Sequence, residues 1–457
     1  MSLPSADEYL PGHGDRAYSV RHYDLDLHYA VTTNRLDAVA TLTVVTLAAT
    51  RRLVLDLARL DVAKVRITGA TLGRYGTRSG RLVIDLRGEV GAGTELTAVI
   101  HYAGRPQPLV DRRHGDAGWE ELDDGVIVAA QPHGSPTWFP CNDRPDDKAS
   151  YRISVTTDAG YLVVSNGILV AHRRRGSTET WVHEQAEPMA TYLATVQIGR
   201  YGNRSLRPGG DGDVPIRVAA PTDLAEDAFA DAFGRQSEMM DVFVDLFGPY
   251  PFRSYAVVVT DDALEIPLES QTLATFGRNL VRGDWDATRL VAHELAHQWF
   301  GNAVTLARWR DIWLHEGFAC YAEWLWSERS GGDPAREHAR RHWERLAGLD
   351  QDLVLADPGP ELMFDDRVYK RGALTLHALR VDVRDDAFFD LLRGWVAEHS
   401  GGSVTTDDFL AFAAERTGTD VRALLSPWLY DEELPPLPAS TLFPYTTLFR
   451  SIGRASC

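Results

Sequence analysis

The chain has 457 residues, 44% hydrophobic and 25% charged, with three cysteines and a formal charge of −18. With a mean hydropathy of −0.23, this composition excludes a collagen-like, disulfide-stapled or largely disordered chain. No uncharged apolar run reaches the roughly 18 residues of a membrane span, and 65 acidic against 47 basic residues oppose nucleic acid or anionic lipid as the main partner.

The first residues, MSLPSADEYLPGHGD, carry no basic stretch and no apolar stretch, so no signal peptide is expected. Cys141, Cys320 and Cys457 suit a reducing compartment, and a cytoplasmic location is expected. The first two hundred residues alternate with a period of two. Tyr23, Leu25, Leu27 and Tyr29 interleave with Asp24, Asp26 and His28. Leu96, Ala98, Ile100 and Tyr102 repeat the pattern, as do Tyr151, Ile153 and Val155. Such alternation marks strands with one buried and one wetted face, as in antiparallel sheets. The Gly- and Pro-rich stretch Arg204–Pro215 reads as a linker.

Beyond it the period lengthens. Ala228–Phe247 is helix-like, Tyr255–Thr260 is a short β-branched run, and helical patterns follow. They cover Trp285–Asn302, Ile312–Arg329, Pro334–Ala347, Arg371–Val383, Ala387–His399, Thr406–Thr417 and Val421–Tyr430. Thr406 is the expected N-cap of the helix it opens, ahead of Asp407 and Asp408. The run LPPLP from Leu434 ends packed structure. Residues 441–451, TLFPYTTLFRS, are similar to the in-frame translation of a sequencing-adapter oligonucleotide, so the natural chain is expected to end near Ser440.

Chemistry concentrates in VAHELAHQWFGN, which holds His293, Glu294 and His297. On a helix, positions i and i+4 share a face, so two imidazoles reach one ion. Glu316, on the next helix, supplies a carboxylate. Two histidines and one glutamate leave a tetrahedral zinc with an open position, the pattern of catalytic rather than structural sites. This donor set suits zinc better than calcium or magnesium, which take all-oxygen shells. Glu294, beside the ligands, reaches a water without ligating. His315 neighbours Glu316 but points elsewhere on the helix and is not counted as a ligand. Glu323, seven residues past Glu316, shares its helical face and is a candidate to orient a histidine. Cys320 reads as a small buried residue.

HELAHQWFGN and WLHEGFACYAE, with eighteen residues intervening between His297 and Glu316, resemble the zinc aminopeptidases of the aminopeptidase N and leukotriene-hydrolase family, of the gluzincin group. WFPCNDRPDDKASY (Trp138–Tyr151) and VYKRGALTLHALR (Val368–Arg380) resemble further blocks of that family, and the likeness covers most of residues 15–438. The resemblance implies a multidomain α+β chain. A β-rich, saddle-like N-terminal domain would span 1–203, a mainly helical thermolysin-like catalytic domain with a small sheet would span 204–440, and 441–457 would be a non-native tail. The expectation is a short form without the family's C-terminal helical domain, or a chain truncated at the doubtful tail.

The resemblance also implies roles. One zinc ion is held by His293, His297 and Glu316. Glu294 is the general base, and Tyr369 of YKRG donates to the developing oxyanion. A carboxylate binds the substrate's free α-ammonium. This chain departs from the family's Gly-x-Met-Glu-Asn motif and reads ALEIPLESQTLATF, where Glu269 is the better match and Glu265 the alternative. Gln131 helps to hold the N-terminus. Pro267 removes a backbone N–H there, so main-chain pairing with substrate is expected to be weaker. The implied partners are peptides with a free N-terminus. A thermolysin-like endopeptidase and a non-catalytic scaffold on the same fold are the alternatives.

Overall fold

The computed structural model describes residues 5–207, 209 and 213–438; the adapter-like segment 441–457, with Cys457, lies outside the described residues. The period-two segments form a seven-stranded sheet in the order 168–175, 178–189, 149–158, 18–30, 35–46, 95–104 and 61–68. Tyr23, Leu25, Leu27 and Tyr29 are buried, whereas Asp26 and His28 are exposed. The alternation thus reports the buried face, as expected of a sheet packed on one side. One feature departs from a purely antiparallel sheet: Tyr18–Ala30 pairs in parallel with Ala149–Asp158, Tyr23 opposite Tyr151. The two tyrosine rings stack 4.8 Å apart there, and the long intervening excursion makes the parallel crossover possible.

A three-stranded sheet (50–56, 81–90, 72–78) and a five-stranded sheet (162–165, 196–199, 125–129, 115–122, 109–111) complete the β-rich half. Sheet membership changes between Gly199 and Tyr201. The strand Tyr201–Arg207 pairs with Ile216–Pro221 and opens a second five-stranded sheet, continued by Tyr255–Thr260, Leu273–Gly277 and Leu268–Ser270. Residues 204–207 are therefore strand rather than linker. They read as linker because an edge strand keeps polar side chains; Arg204 reaches Glu226 and the carbonyl of Leu224.

Among the described residues nine α-helices follow: α1 (Glu226–Phe233), α2 (Gln236–Phe247), α3 (Trp285–Ala296), α4 (Trp313–Arg329), α5 (Ala335–Leu346), α6 (Asp366–Val383), α7 (Asp385–His399), α8 (Thr406–Thr417) and α9 (Val421–Tyr430). The single helix expected over Ala228–Phe247 is split at Gly234, the C-cap of α1. The N-cap of α8 is Thr405, one residue earlier than expected, in a capping box with Asp408. Thr406 is committed elsewhere: its hydroxyl donates to Asp311.

The helix α3 also ends sooner than its pattern. Asp284 caps its start by accepting from Ala287 N–H. At its end His297 is the C-cap, and the chain turns back with Gly301 at φ 123°. A Cβ at Gly301 would lie 3.1 Å from His297 Nδ1, so only glycine fits this return. The central helix α4 is buried over nearly its whole length. It crosses α6 where Gly317 faces Gly372; a Cβ on Gly372 would stand 2.7 Å from Gly317 Cα. One continuous apolar core runs through both halves, from Leu25 and Ile153 to Trp299, Phe318 and Leu376. No helix among the described residues is long and apolar enough to cross a membrane.

Candidate metal centre

Two helices bring the expected ligands together. Helix α3 presents His293 and Glu294 and ends on His297; α4 presents Glu316. The ligand atoms of His293, His297 and Glu316 lie within 4.8 Å of one another, all buried. Glu316 Oε2 is 3.3 Å from His293 Nε2 and 3.5 Å from His297 Nε2. These separations match the roughly 3.3 Å between neighbouring ligands of a tetrahedral zinc. The other ring nitrogens are occupied. His293 Nδ1 lies 2.8 Å from Glu323 Oε1, and His297 Nδ1 lies 3.0 Å from the carbonyl of Phe300. With Nδ1–H donating to these acceptors, both Nε2 lone pairs face Glu316, the arrangement of metal-binding imidazoles.

The charges agree with the geometry. Burial pushes both imidazoles down, but Glu316 and Glu323 lift His293, and Glu316 and Glu269 lift His297, above the usual range. Burial pushes Glu316 up, and the two histidines overcome it and hold the carboxyl well below the usual range. Four carboxylates crowd the two imidazoles, and the upward shifts of both histidines, Glu294 and Glu269 mark a place for positive charge that a divalent cation would supply. Glu294 points into the same space, and its Oε2 is buried without a hydrogen-bond partner among the described residues. The residues present therefore fit a zinc ion.

Tyr369 lies in the first turn of α6, which begins five residues before the expected start. Its ring is nearly parallel to that of His293, centroids 6.0 Å apart. Burial, reinforced by Glu316, Glu269 and Glu294, keeps its hydroxyl protonated well above the usual phenol range. Glu269 sits on the edge strand Leu268–Ser270 and forms a group with Glu294 and His297 within 4.8 Å. Gln131 Nε2 donates to Glu269 Oε1 at 2.6 Å. Glu265 is exposed, in the loop before this strand. The structure thus brings Glu269 and Gln131 to the centre and leaves Glu265 outside it. Pro267 precedes the strand rather than interrupting it.

His315 is turned away, as its place on the helix implies. Its Nε2 accepts from Leu306 N–H at 2.7 Å, and burial lowers it to about 3, so it stays neutral. Cys320 is fully buried, beside Lys370 Nζ at 3.3 Å.

Sequence reasoning missed the residues that fix Glu269 relative to the histidines. Gln298 Nε2 and Asn302 Nδ2 both donate to the carbonyl of Ser270, at 3.0 and 3.1 Å. Gln298 Oε1 accepts from Thr272 N–H at 2.7 Å. The signal was available, because both amides belong to the HQWFGN string. Lys148 was also missed. Its ammonium donates to the carbonyls of Asn302, Ala303 and Gly402 at 3.0–3.1 Å, bracing the turn after His297. Arg289, 3.3 Å from Glu323, completes the support of His293.

Residues 19–193 match the Peptidase M1 N-terminal domain and residues 232–428 the Peptidase family M1 domain. Among curated proteins, the chain is 24% identical over 418 residues to leucyl aminopeptidase of Saccharolobus solfataricus and 27% identical over 376 residues to aminopeptidase N of Lactococcus lactis. These alignments cover 82% and 76% of this chain but 49% and 44% of the relatives, so the chain spans about half the length of the curated relatives it matches. A crystal structure of a two-domain M1 zinc metallopeptidase variant bound to L-arginine superposes with a TM-score of 0.88 at 32% identity, covering 95% of this chain and 99% of that one. An M1 zinc metallopeptidase variant from Deinococcus radiodurans bound to a Tyr-Ser-Ala substrate superposes with a TM-score of 0.87 at 31% identity, with the same coverage. Two family domains in tandem and this near-complete structural likeness establish that the chain belongs to peptidase family M1.

Proposed function

We propose that the protein is a zinc-dependent aminopeptidase that removes the N-terminal residue of peptides. The observation that carries this reading is Glu269, a carboxylate hydrogen-bonded to Gln131 and set beside the His293–His297–Glu316 triangle. A fixed anion at this distance from the reacting centre selects a substrate whose ammonium adjoins the scissile bond.

Zinc held by His293, His297 and Glu316 would supply Lewis-acid polarisation and a water of near-neutral pKa. Glu294 takes a proton and returns it to the leaving amine. Burial raises its carboxyl above the usual range, while His293 lowers it, and its free Oε2 faces the cluster. The Tyr369 hydroxyl donates to the oxygen that gains charge in the transition state. Glu269 and Gln131 hold the ammonium. The strand Leu268–Ser270 lies at a sheet edge, which supports main-chain pairing with a peptide. Its three residues and the preceding Pro267 limit that pairing to a short stretch.

We place the division between domains at 203/204, within a few residues of the change of sheet at Tyr201. A cytoplasmic location is supported by Cys141 and Cys320, both unpaired and buried. Cell fractionation tests that location, and recovery in a secreted fraction would overturn it.

The activity is tested with aminoacyl fluorogenic substrates and a free/acetylated peptide pair, on a chain ending at Ser440, with and without chelator. Cleavage is expected of free N-termini only, and chelator is expected to abolish it. Glu269→Gln removes a charge-assisted contact of about 1.5–3 kcal/mol, so kcat/KM on free peptides should fall roughly 10- to 100-fold. Equal cleavage of free and acetylated peptides would identify an endopeptidase instead. Absence of bound zinc and of hydrolysis would identify a scaffold.

A further inference from the structure

A second cluster of metal-ligating side chains lies outside the centre just described. The hairpin Leu109–Leu122 turns through Arg112, Arg113 and His114, with Asp111 opposite Gly115. His133 approaches from the turn that follows the strand Gly125–Ala129. The ligand atoms of Asp111, His114 and His133 lie within 4.8 Å of one another.

Three observations separate this group from an accidental polar patch. First, the His114 side chain is 1% exposed, and its Nδ1 has no hydrogen-bond partner among the described residues; a carboxylate oxygen of Asp111 is 3.7 Å away. Second, His114 Nε2 lies 2.7 Å from the carbonyl of Pro360. That contact makes Nε2 the protonated nitrogen and leaves Nδ1 a lone pair, as in metal-binding imidazoles held by a backbone acceptor. Third, His133 is 5% exposed and its Nδ1 is also buried without a partner among the described residues. A buried, unpartnered imidazole nitrogen is a destabilising choice unless something fills it; for two that converge with a carboxylate, a shared cation satisfies all three at once.

We propose that Asp111, His114 and His133 form a second site for a divalent transition-metal ion of the zinc type. Two imidazoles and one carboxylate are borderline donors that prefer zinc, cobalt or nickel to calcium or magnesium. Arg113 pairs with Asp111 at 3.3 Å and orients its carboxylate. His13, 5.5 Å from the His133 ring, is bound to Asp143 and is not a ligand. The Asp111 side chain is 28% exposed, so the cluster borders solvent on that side.

The location gives the ion a structural task. His114 binds the Pro360 carbonyl of the catalytic half, and His133 follows Gln131 by two residues. An ion here ties the hairpin to the turn that presents Gln131 to Glu269. It braces the ammonium pocket and does not touch the reacting atoms.

The test is metal stoichiometry on the full chain, stripped with chelator, reloaded with excess zinc and desalted. Two equivalents are expected in the unaltered chain, and one in His133→Gln and in Asp111→Asn. The double variant His293→Ala, His297→Ala should keep one equivalent, which separates this site from the catalytic reading. In that double variant, added cobalt should develop the visible absorption of a low-coordinate nitrogen–oxygen site, and Asp111→Asn in the same background should abolish it. A single equivalent in the unaltered chain overturns the proposal. So does a second equivalent that survives both Asp111→Asn and His133→Gln. Should either variant fail to fold by circular dichroism, the cobalt spectrum of the His293→Ala, His297→Ala chain decides alone: no visible band sinks the site.

Discussion

The contact between Gly317 and Gly372 sets the distance from Tyr369 to the metal centre, and Gly372→Ala measures how tightly. The new Cβ would stand 2.7 Å from Gly317 Cα and 3.4 Å from Gly317 N, in helix backbone that no side-chain rotation relieves. Ordinary contact begins at 3.4 Å, so α6 must retreat from α4 by at least about 0.7 Å. Overpacking of this kind costs about 1–3 kcal/mol, and the better helix propensity of alanine offsets about 1 kcal/mol. The net change in stability is thus about 0–2 kcal/mol. The functional loss should be larger. Tyr369 is one turn from Gly372 on α6, and Glu316 adjoins Gly317 on α4. Misplacing a catalytic group by about 1 Å costs on the order of 100-fold in rate. The assay pairs kcat on an aminoacyl fluorogenic substrate with a thermal melt. The expected result is a kcat about 30- to 100-fold lower at a melting temperature within a few degrees of the parent. A Gly372→Ala chain that keeps kcat within about threefold would refute the argument that this crossing positions the tyrosine.

Glu323→Gln keeps an acceptor for His293 but removes the charge shared with Arg289, so zinc affinity should fall about 10- to 100-fold in a chelator competition; unchanged affinity would sink the assignment. Tyr369→Phe should lower kcat about 10²- to 10³-fold with little change in KM, and turnover within about threefold of the parent would remove the role. The pH dependence of stability has a definite sign. Burial lowers His183 and His377 to about 4, below the unfolded value of 6.5. The unfolded chain then binds more protons between these values, and stability drops as pH falls from about 6.5 towards 4. Each histidine contributes up to about 3 kcal/mol to that drop. Urea melts at pH 7 and 4.5 should show it, and His183→Asn should reduce the difference by roughly 2 kcal/mol; no reduction would contradict the burial argument.

What the sequence reveals follows from how local each signal is. The alternation around Tyr23 and Leu96 and the i, i+4 spacing of His293 and His297 are short-range, and the structure has the corresponding strands, helix and paired imidazoles. Helix ends were less legible. Apolar periodicity continues past Ala296 because Trp299 and Phe300 are core residues even though the chain has left the helix. Thr405 and Thr406 are chemically equivalent caps, and only the distant Asp311 decides between them. The parallel pairing of Tyr18–Ala30 with Ala149–Asp158 has no local signature at all. Lys148 carries no sequence signal because its three acceptors are backbone carbonyls, which no side-chain pattern can announce. The cluster of Asp111, His114 and His133 escaped for a related reason: the residues come from separate turns, and a lone Asp-x-x-His is too short to stand out.

The edge strand that carries Glu269 is held from two sides. Gln298 and Asn302 grip the carbonyl of Ser270, and Asn166, from the β-rich half, donates to the next carbonyl, Gln271, at 2.7 Å. Neither half alone owns the ammonium pocket. Recombination between relatives therefore has a constraint that domain boundaries hide. A chimera that joins the β-rich half of one homologue to the helical half of another should inherit zinc binding from the latter intact. Its discrimination for the peptide terminus should be scrambled until positions 131, 166 and 269–271 come from the same parent.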